Sequence, residues 1–173
     1  RTELQWTFWS ASQTGMQFGL QQEFYATTSF TETYAMQLAL VHGASVFGRG
    51  CAGLVEAYQK PVWDLWDDFG VSDANWVPYW KSTSLIVSSH SDVKVSYYTK
   101  PDQVLLVAAT NKRTSPSATI TIDLVGLGLD PGNVSGTYRS GSFTVTPDPD
   151  DKLRLDFPTH NSLPLLSNSN GQA

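Results

Sequence analysis

Carboxylates are the first side chains to consider, because Asp and Glu residues held in pairs at a defined separation act as general acid and base in hydrolysis. In the N-terminal part, Glu23 is the candidate for such a catalytic role, and its companions are Glu3 and Glu32. Glu32 follows Ser29 at the spacing of a capping box, which assigns it to the start of a helix. No adjacent Asp–Glu pair occurs before residue 83, so catalytic residues beyond Glu23 remain unknown from the sequence.

Metal binding is disfavoured by the arrangement of the acidic and sulfur-bearing residues. Asp67 and Asp68 point to different sides of a predicted helix, and no clustered His or Cys accompanies them or Asp64. The single cysteine, Cys51, has no placed base and is interpreted as a packed thiol. We therefore expect a solvated helix face, no metal site and no cofactor.

Aromatic and amide side chains offer a different chemistry, the binding of sugars. Trp6 and Trp9 have rings that can stack on a pyranose, and core packing is the alternative for both.

Asn133 opens the sequon Asn-Val-Ser on a predicted turn and is a candidate for N-glycosylation.

Composition excludes several classes of function. The 173 residues carry 11 Lys and Arg against 16 Asp and Glu, a net charge of −5, which argues against a nucleic-acid partner. No apolar run is long enough to cross a membrane, and one cysteine excludes an intrachain disulfide framework. The Ser, Thr, Gly and aromatic content with few charges favours an extracellular or secreted protein.

The chain opens at Arg1 rather than Met, so we expect it to be processed or excerpted.

The first half of the chain is predicted to mix strands and helices. Residues 4–9 and 16–25 are aromatic-rich and favour strands. The segment from Glu32 to about His42 is apolar almost all round, which is typical of a buried helix. A second, amphipathic helix follows Pro61, places Val62, Trp66 and Phe69 on one face, and ends at Gly70.

The second half is predicted to be all β. Apolar residues alternate with polar ones from Val93 to Tyr98, as in a half-buried strand, and 104–109 is a continuous apolar run typical of a central strand. Leu163 to Leu166 is expected to form an exposed edge strand interrupted by Pro164. The sequence thus predicts an α+β chain: a partial barrel-like helix/strand segment (1–82) followed by an antiparallel β-sandwich (83–173).

The order of several motifs resembles the C-terminal end of glycoside-hydrolase-like proteins, and is most similar to the family 123 group. The motifs are LVHG at 40–43, DDFGV at 67–71, WVPYW at 76–80, VKVSYY at 93–98 and VLLV at 104–107. In such proteins a (β/α)8 barrel gives way to a small antiparallel β-sandwich. The resemblance covers residues 16–157.

The resemblance implies a role for the residues around Glu23. Residues 16–20 would be a late barrel strand, and 21–25 the loop after it, where barrel enzymes bind substrate. Gln21, Gln22 and Tyr25, with Trp6 and Trp9, are accordingly the expected substrate-binding residues. The family's acidic pair, which works with the substrate's acetamido group, would lie upstream of Arg1.

Two hypotheses follow from the sequence. In the first, the chain is the C-terminal portion of a carbohydrate-active glycoside-hydrolase-like protein, with the sandwich as a stabilising or sugar-binding appendage; the chain alone is not expected to be catalytic. Its partners would be a carbohydrate and an upstream segment of the same protein. In the second, it is a structural or adhesive module of an extracellular assembly that self-associates through the predicted edge at 163–166.

Overall fold

The computed structural model describes residues 23–26, 37, 39–48, 60–81, 84–110, 112, 116–138, 141–157 and 165–168. Within them, eleven strands form three sheets, and the majority of the pairings are antiparallel. This architecture confirms the predicted α+β fold with a sandwich. Among the described residues, no helix is both long and apolar enough to span a membrane.

Two short parallel strands precede the sandwich. Strand β1 (Glu23–Ala26) pairs with β2 (Ser45–Gly48), with Glu23 opposite Ser45 and Ala26 opposite Gly48. The first helix, whose described C-terminal turn is residues 39–41, lies between them in the chain. Parallel neighbours require such a crossover, so this part is a β–α–β unit of the kind from which (β/α) barrels are built.

The first helix ends in a Schellman motif. The amide of Gly43 donates to the Leu40 carbonyl, the amide of Ala44 donates to the Ala39 carbonyl, and both distances are 3.0 Å. Gly43 has a φ of 70°, in the left-handed region that glycine adopts at little cost. The predicted helix end near His42 therefore agrees with the structure.

The sandwich consists of a six-stranded and a three-stranded sheet. The larger sheet has the order β3-β5-β6-β11-β8-β9 and the smaller one β10-β7-β4. Their strands are β3 (Asn75–Val77), β4 (Ile86–Ser88), β5 (Val93–Lys100), β6 (Gln103–Thr110), β7 (Ala118–Asp123), β8 (Val134–Tyr138), β9 (Gly141–Phe143), β10 (Lys152–Phe157) and β11 (Leu165–Asn168). Side chains that alternate along the strands fill the space between the two sheets, as for Ala118, Ile120 and Ile122 of β7.

The six-stranded sheet is buried on both faces at its centre. Its inner face packs against the smaller sheet, and its outer face, which includes Tyr98, Leu105 and Val107, packs against the end of the first helix. This two-sided burial explains the continuous apolar run at 104–109. It also corrects the prediction for 93–98: the strand is not half-buried, since Ser96 and Tyr98 are covered as fully as Val95.

A helix rich in tryptophan completes the outer layer. This tryptophan helix (Lys60–Phe69) buries Val62 and Phe69 and ends at Gly70, whose φ of 69° is left-handed, as predicted. Lys100 of β5 donates from Nζ to the Phe69 carbonyl at 2.7 Å. A cation at the C-terminal carbonyls complements the helix dipole, so this bond fastens the helix end to the sheet.

Two predictions about individual segments are wrong. Strand β11 is interior rather than an edge, because Leu165 pairs with Leu105 of β6 on one side and with Thr137 of β8 on the other. Residues 23–25 lie in a strand, as the aromatic pattern of 16–25 predicts, and not in the loop that the family resemblance implies. The division between residues 82 and 83 stays a prediction; strand β3 of the large sheet already begins at Asn75.

Candidate functional site

The structure describes only part of the predicted substrate-binding set. Trp6, Trp9, Gln21 and Gln22 lie outside the described residues, and their roles stay predictions. Glu23 opens strand β1 and Tyr25 lies two residues further along it, opposite Phe47 of β2. The catalytic role of Glu23 and the substrate-binding role of Tyr25 stay predictions as well.

In the described part of the chain, a buried serine joins the β–α–β unit to the sandwich. Ser96 of β5, fully buried, donates from Oγ to the Val41 carbonyl at 2.6 Å, and its Oγ accepts from the Tyr79 amide at 3.0 Å. The Val41 carbonyl is one of the groups that the end of a helix leaves without an intrahelical partner. One hydroxyl thus satisfies two backbone groups that lie far apart in sequence. We call Val41, Tyr79 and Ser96 the serine bridge.

An aromatic cluster surrounds the serine bridge. The His42 ring stacks on Trp80 with centroids 6.0 Å apart and meets Tyr79 edge-on at 5.6 Å, where His42 Nε2 lies 3.4 Å from the Tyr79 hydroxyl. The Tyr98 ring completes the cluster: its centroid lies 5.9 Å from that of Trp66 and 6.4 Å from that of Trp76. Such pairs add stability beyond the area that they bury.

The burial of this cluster is nearly complete at its centre. Desolvation raises the pKa of Tyr98 to about 12. The indole nitrogens of Trp66 and Trp76 are buried without a hydrogen-bond partner. A Cβ on Gly43 would lie 2.9 Å from the ring of Trp76, so the cluster also requires glycine at that position. These features are typical of a packed interface rather than of a solvated active site.

Catalytic and metal chemistry find little support in the described part of the chain. Within it, no three His, Cys, Asp or Glu side chains come together as metal ligands. Asp64, Asp67 and Asp68 are exposed on the tryptophan helix, as predicted, and Asp64 is paired with Lys60 at 2.6 Å. His42 contributes to the aromatic cluster.

A charged group lies on the loop before β10. The guanidinium of Arg154 donates to the carboxylates of Asp148 and Asp150. Its hydrogen bonds to them raise the pKa of Arg154, and the hydrogen bond from Arg154 lowers the pKa of Asp150. Arg154 offsets one of the two negative charges and links the loop at 148–150 to strand β10.

The outer face of the three-stranded sheet is polar. Register places Val87 and Arg154 beside Thr121, and Asp156 beside Thr119. Planar sugar-binding faces present aromatic rings, and the described residues of this face contain none. Asn133, the predicted glycosylation residue, lies in the turn before β8, where its backbone N–H donates to the Asp130 carbonyl; modification of its side chain stays a prediction.

Sequence reasoning missed the serine bridge. Ser96 stands on the face of β5 that alternation assigned to solvent, beside Lys94 and Tyr98. The available signal was the apolar first helix, which needed a partner surface. Nothing local in 93–98 shows that this partner would be the outer face of the sheet.

Comparisons with known proteins show what part of this chain is similar to. Residues 58–139 match the family model described as glycoside hydrolase 123, C-terminal domain. A search of curated proteins found no match. The fold is similar to that of a noncanonic maltogenic alpha-amylase from Thermotoga neapolitana, with a TM-score of 0.56 and 8% sequence identity over 94% of this chain. The chain spans 45% of that amylase structure, and at this identity the likeness concerns the fold alone. The family match, which runs from the start of the tryptophan helix to strand β8, confirms the predicted resemblance to the C-terminal part of glycoside-hydrolase-like proteins of the family 123 group.

Proposed function

We propose that the chain is the C-terminal portion of a carbohydrate-active glycoside hydrolase, and that its sandwich stabilises the barrel-like segment without contacting the sugar. One observation carries this proposal. The large sheet is joined, through the serine bridge, to the turn that ends the first helix, directly before β2 begins at Ser45.

This position lies at the N-terminal end of the parallel strands. In barrel enzymes the C-terminal ends of the strands carry the active site, and the opposite end contributes to stability. The C-terminal ends of strands β1 and β2 are Ala26 and Gly48. The sandwich contacts the β–α–β unit at Val41, which precedes the opposite, N-terminal end of β2. A domain attached there supports the strands and leaves the catalytic end open.

The outer surfaces of the sandwich also favour a stabilising role over a sugar-binding one. The outer face of the large sheet is occupied by the tryptophan helix and the end of the first helix. The described outer face of the small sheet offers Val87, Thr and charged residues but no ring on which a pyranose would stack.

We further propose that upstream polypeptide completes the barrel. Parallel sheets are normally larger than two strands and covered on both faces. The β1–β2 pair is the whole parallel sheet in the described residues, and the chain corresponds to less than half of the similar amylase structure. The catalytic acids, a carbohydrate substrate and secretion belong to this proposal. The adhesive alternative keeps its motives of low charge and Ser/Thr-rich strands but loses the predicted edge, because β11 lies between β6 and β8.

The test uses the full-length gene product and Leu105→Ala, which removes a buried side chain from the outer face of the large sheet. Truncation of a buried Leu costs about 2–5 kcal/mol, so thermal inactivation should be faster than in wild type. The initial rate of reducing-sugar release from neutral oligosaccharides, measured well below the melting temperature, should not change. The exposed Val87→Ala is the control. A raised KM or a lowered kcat in folded Leu105→Ala would contradict a purely stabilising role, and absence of hydrolysis in wild type would contradict the enzyme assignment.

A further inference from the structure

The tryptophan helix exposes one large aromatic side chain. Trp63 is 40% exposed, and the other large hydrophobic residues that are exposed in the described part of the chain are Val87 and Val125. Trp63 lies beside the buried stripe of the helix rather than in it, next to Val62. An exposed indole on an otherwise charged face is a surface suited to an amphipathic ligand.

The side chains around Trp63 restrict the chemistry of that ligand. Asp67 is exposed one helical turn further on and has no ion pair among the described residues, whereas the carboxylate of Asp64 is engaged by Lys60 at 2.6 Å. Free carboxylates repel anionic partners such as nucleic acids and acidic lipids. Carboxylates accept hydrogen bonds from hydroxyl groups, and the face of an indole stacks against the apolar C–H face of a sugar ring. A neutral pyranose presents both groups.

The helix holds these side chains on a rigid support. Val62 and Phe69 anchor its inner face, and Lys100 binds the Phe69 carbonyl while its Nζ lies 5.4 Å from the Phe69 ring centroid. A ring presented by a fixed helix loses little conformational entropy when a ligand stacks on it.

We propose that Trp63 and Asp67 form a surface site for neutral oligosaccharides, separate from the end of the strands where hydrolysis is proposed. Trp63 supplies the stacking surface, and Asp67 accepts hydrogen bonds from sugar hydroxyls. This role rests on the proposed function: in a glycoside hydrolase the site would hold a polymeric substrate on the same polypeptide that carries the active site. Trp63 and Asp67 lie within residues 58–139, which match the glycoside hydrolase 123 C-terminal domain.

The test measures the binding of maltohexaose and of N-acetylated chitohexaose to the 173-residue chain by saturation-transfer NMR and affinity electrophoresis. We expect saturable binding of at least one of the two oligosaccharides. Its affinity should fall about tenfold in Trp63→Ala, recover in part in Trp63→Phe, and fall in Asp67→Asn. Val125→Ala, another exposed apolar truncation, should bind as wild type does. Melting curves verify that each variant is folded.

Three results would overturn the proposal: no saturable binding by wild type, equal binding by Trp63→Ala, or self-association of the chain that buries Trp63. None of them bears on the role of the sandwich, which is tested by Leu105→Ala. Hydrolysis without binding at Trp63 would leave the proposed function intact and remove this site.

Discussion

Replacing Ser96 by alanine removes both contacts of the serine bridge. The hydroxyl is fully buried and lies 2.6 Å from the Val41 carbonyl and 3.0 Å from the Tyr79 amide. Each buried backbone group left without a partner costs roughly 1–3 kcal/mol, so we expect Ser96→Ala to lower the free energy of unfolding by about 3 kcal/mol. For a chain of this size that loss lowers the melting temperature by roughly 6–12 °C.

Urea denaturation followed by tryptophan fluorescence measures this loss. The matched control is Ser135→Ala, whose hydroxyl also donates to a backbone carbonyl, that of Ser167 at 3.2 Å, but at an exposed position. We expect the control to change stability by no more than about 0.5 kcal/mol. If Ser96→Ala is as stable as Ser135→Ala, the serine bridge does not join the two parts of the chain energetically.

Three further predictions concern the packing around the bridge and the loop before β10. Gly43→Ala should destabilise the chain by about 2–4 kcal/mol in the same assay. The alanine would have to adopt the left-handed φ of Gly43, and its Cβ would lie 2.9 Å from the Trp76 ring. Unchanged stability would contradict this close approach. The pKa of Tyr98 is raised to about 12, so its stabilising contribution is complete below pH 10 and is lost as the pH rises through 12, by up to about 3 kcal/mol. Tyr98→Phe should reduce that alkaline loss, and an identical pH profile would contradict it. In Arg154→Met the pKa of Asp150, followed by NMR, should rise towards its ordinary value, and an unchanged titration would show that Arg154 is not its main partner.

Local patterns in the sequence predicted the elements that depend on local chemistry. The tryptophan helix follows from the spacing of Val62, Trp66 and Phe69, and its end follows from Gly70. The alternation of apolar residues from Ile120 onward likewise predicted strand β7. In these cases one face of each element is buried, and the period of the pattern reports that burial.

The predictions that were wrong concern contacts between distant parts of the chain. Leu165 and Leu166 gave the pattern of a short strand, but the position of β11 between β6 and β8 depends on pairings remote in sequence. Ser96 was assigned to solvent because a small polar residue in an alternating strand usually faces water. Its burial depends on the first helix, which covers that face of the sheet. The substrate-binding prediction for Tyr25 rests on a family resemblance and still requires a substrate complex.

Amide hydrogen exchange across the serine bridge tests most directly whether the sandwich stabilises the β–α–β unit from the N-terminal end of its strands. We expect Ser96→Ala to accelerate exchange in residues 39–48 as well as around Tyr79, since both sides share one hydroxyl. Acceleration confined to the sandwich, with residues 39–48 as protected as in wild type, would contradict it.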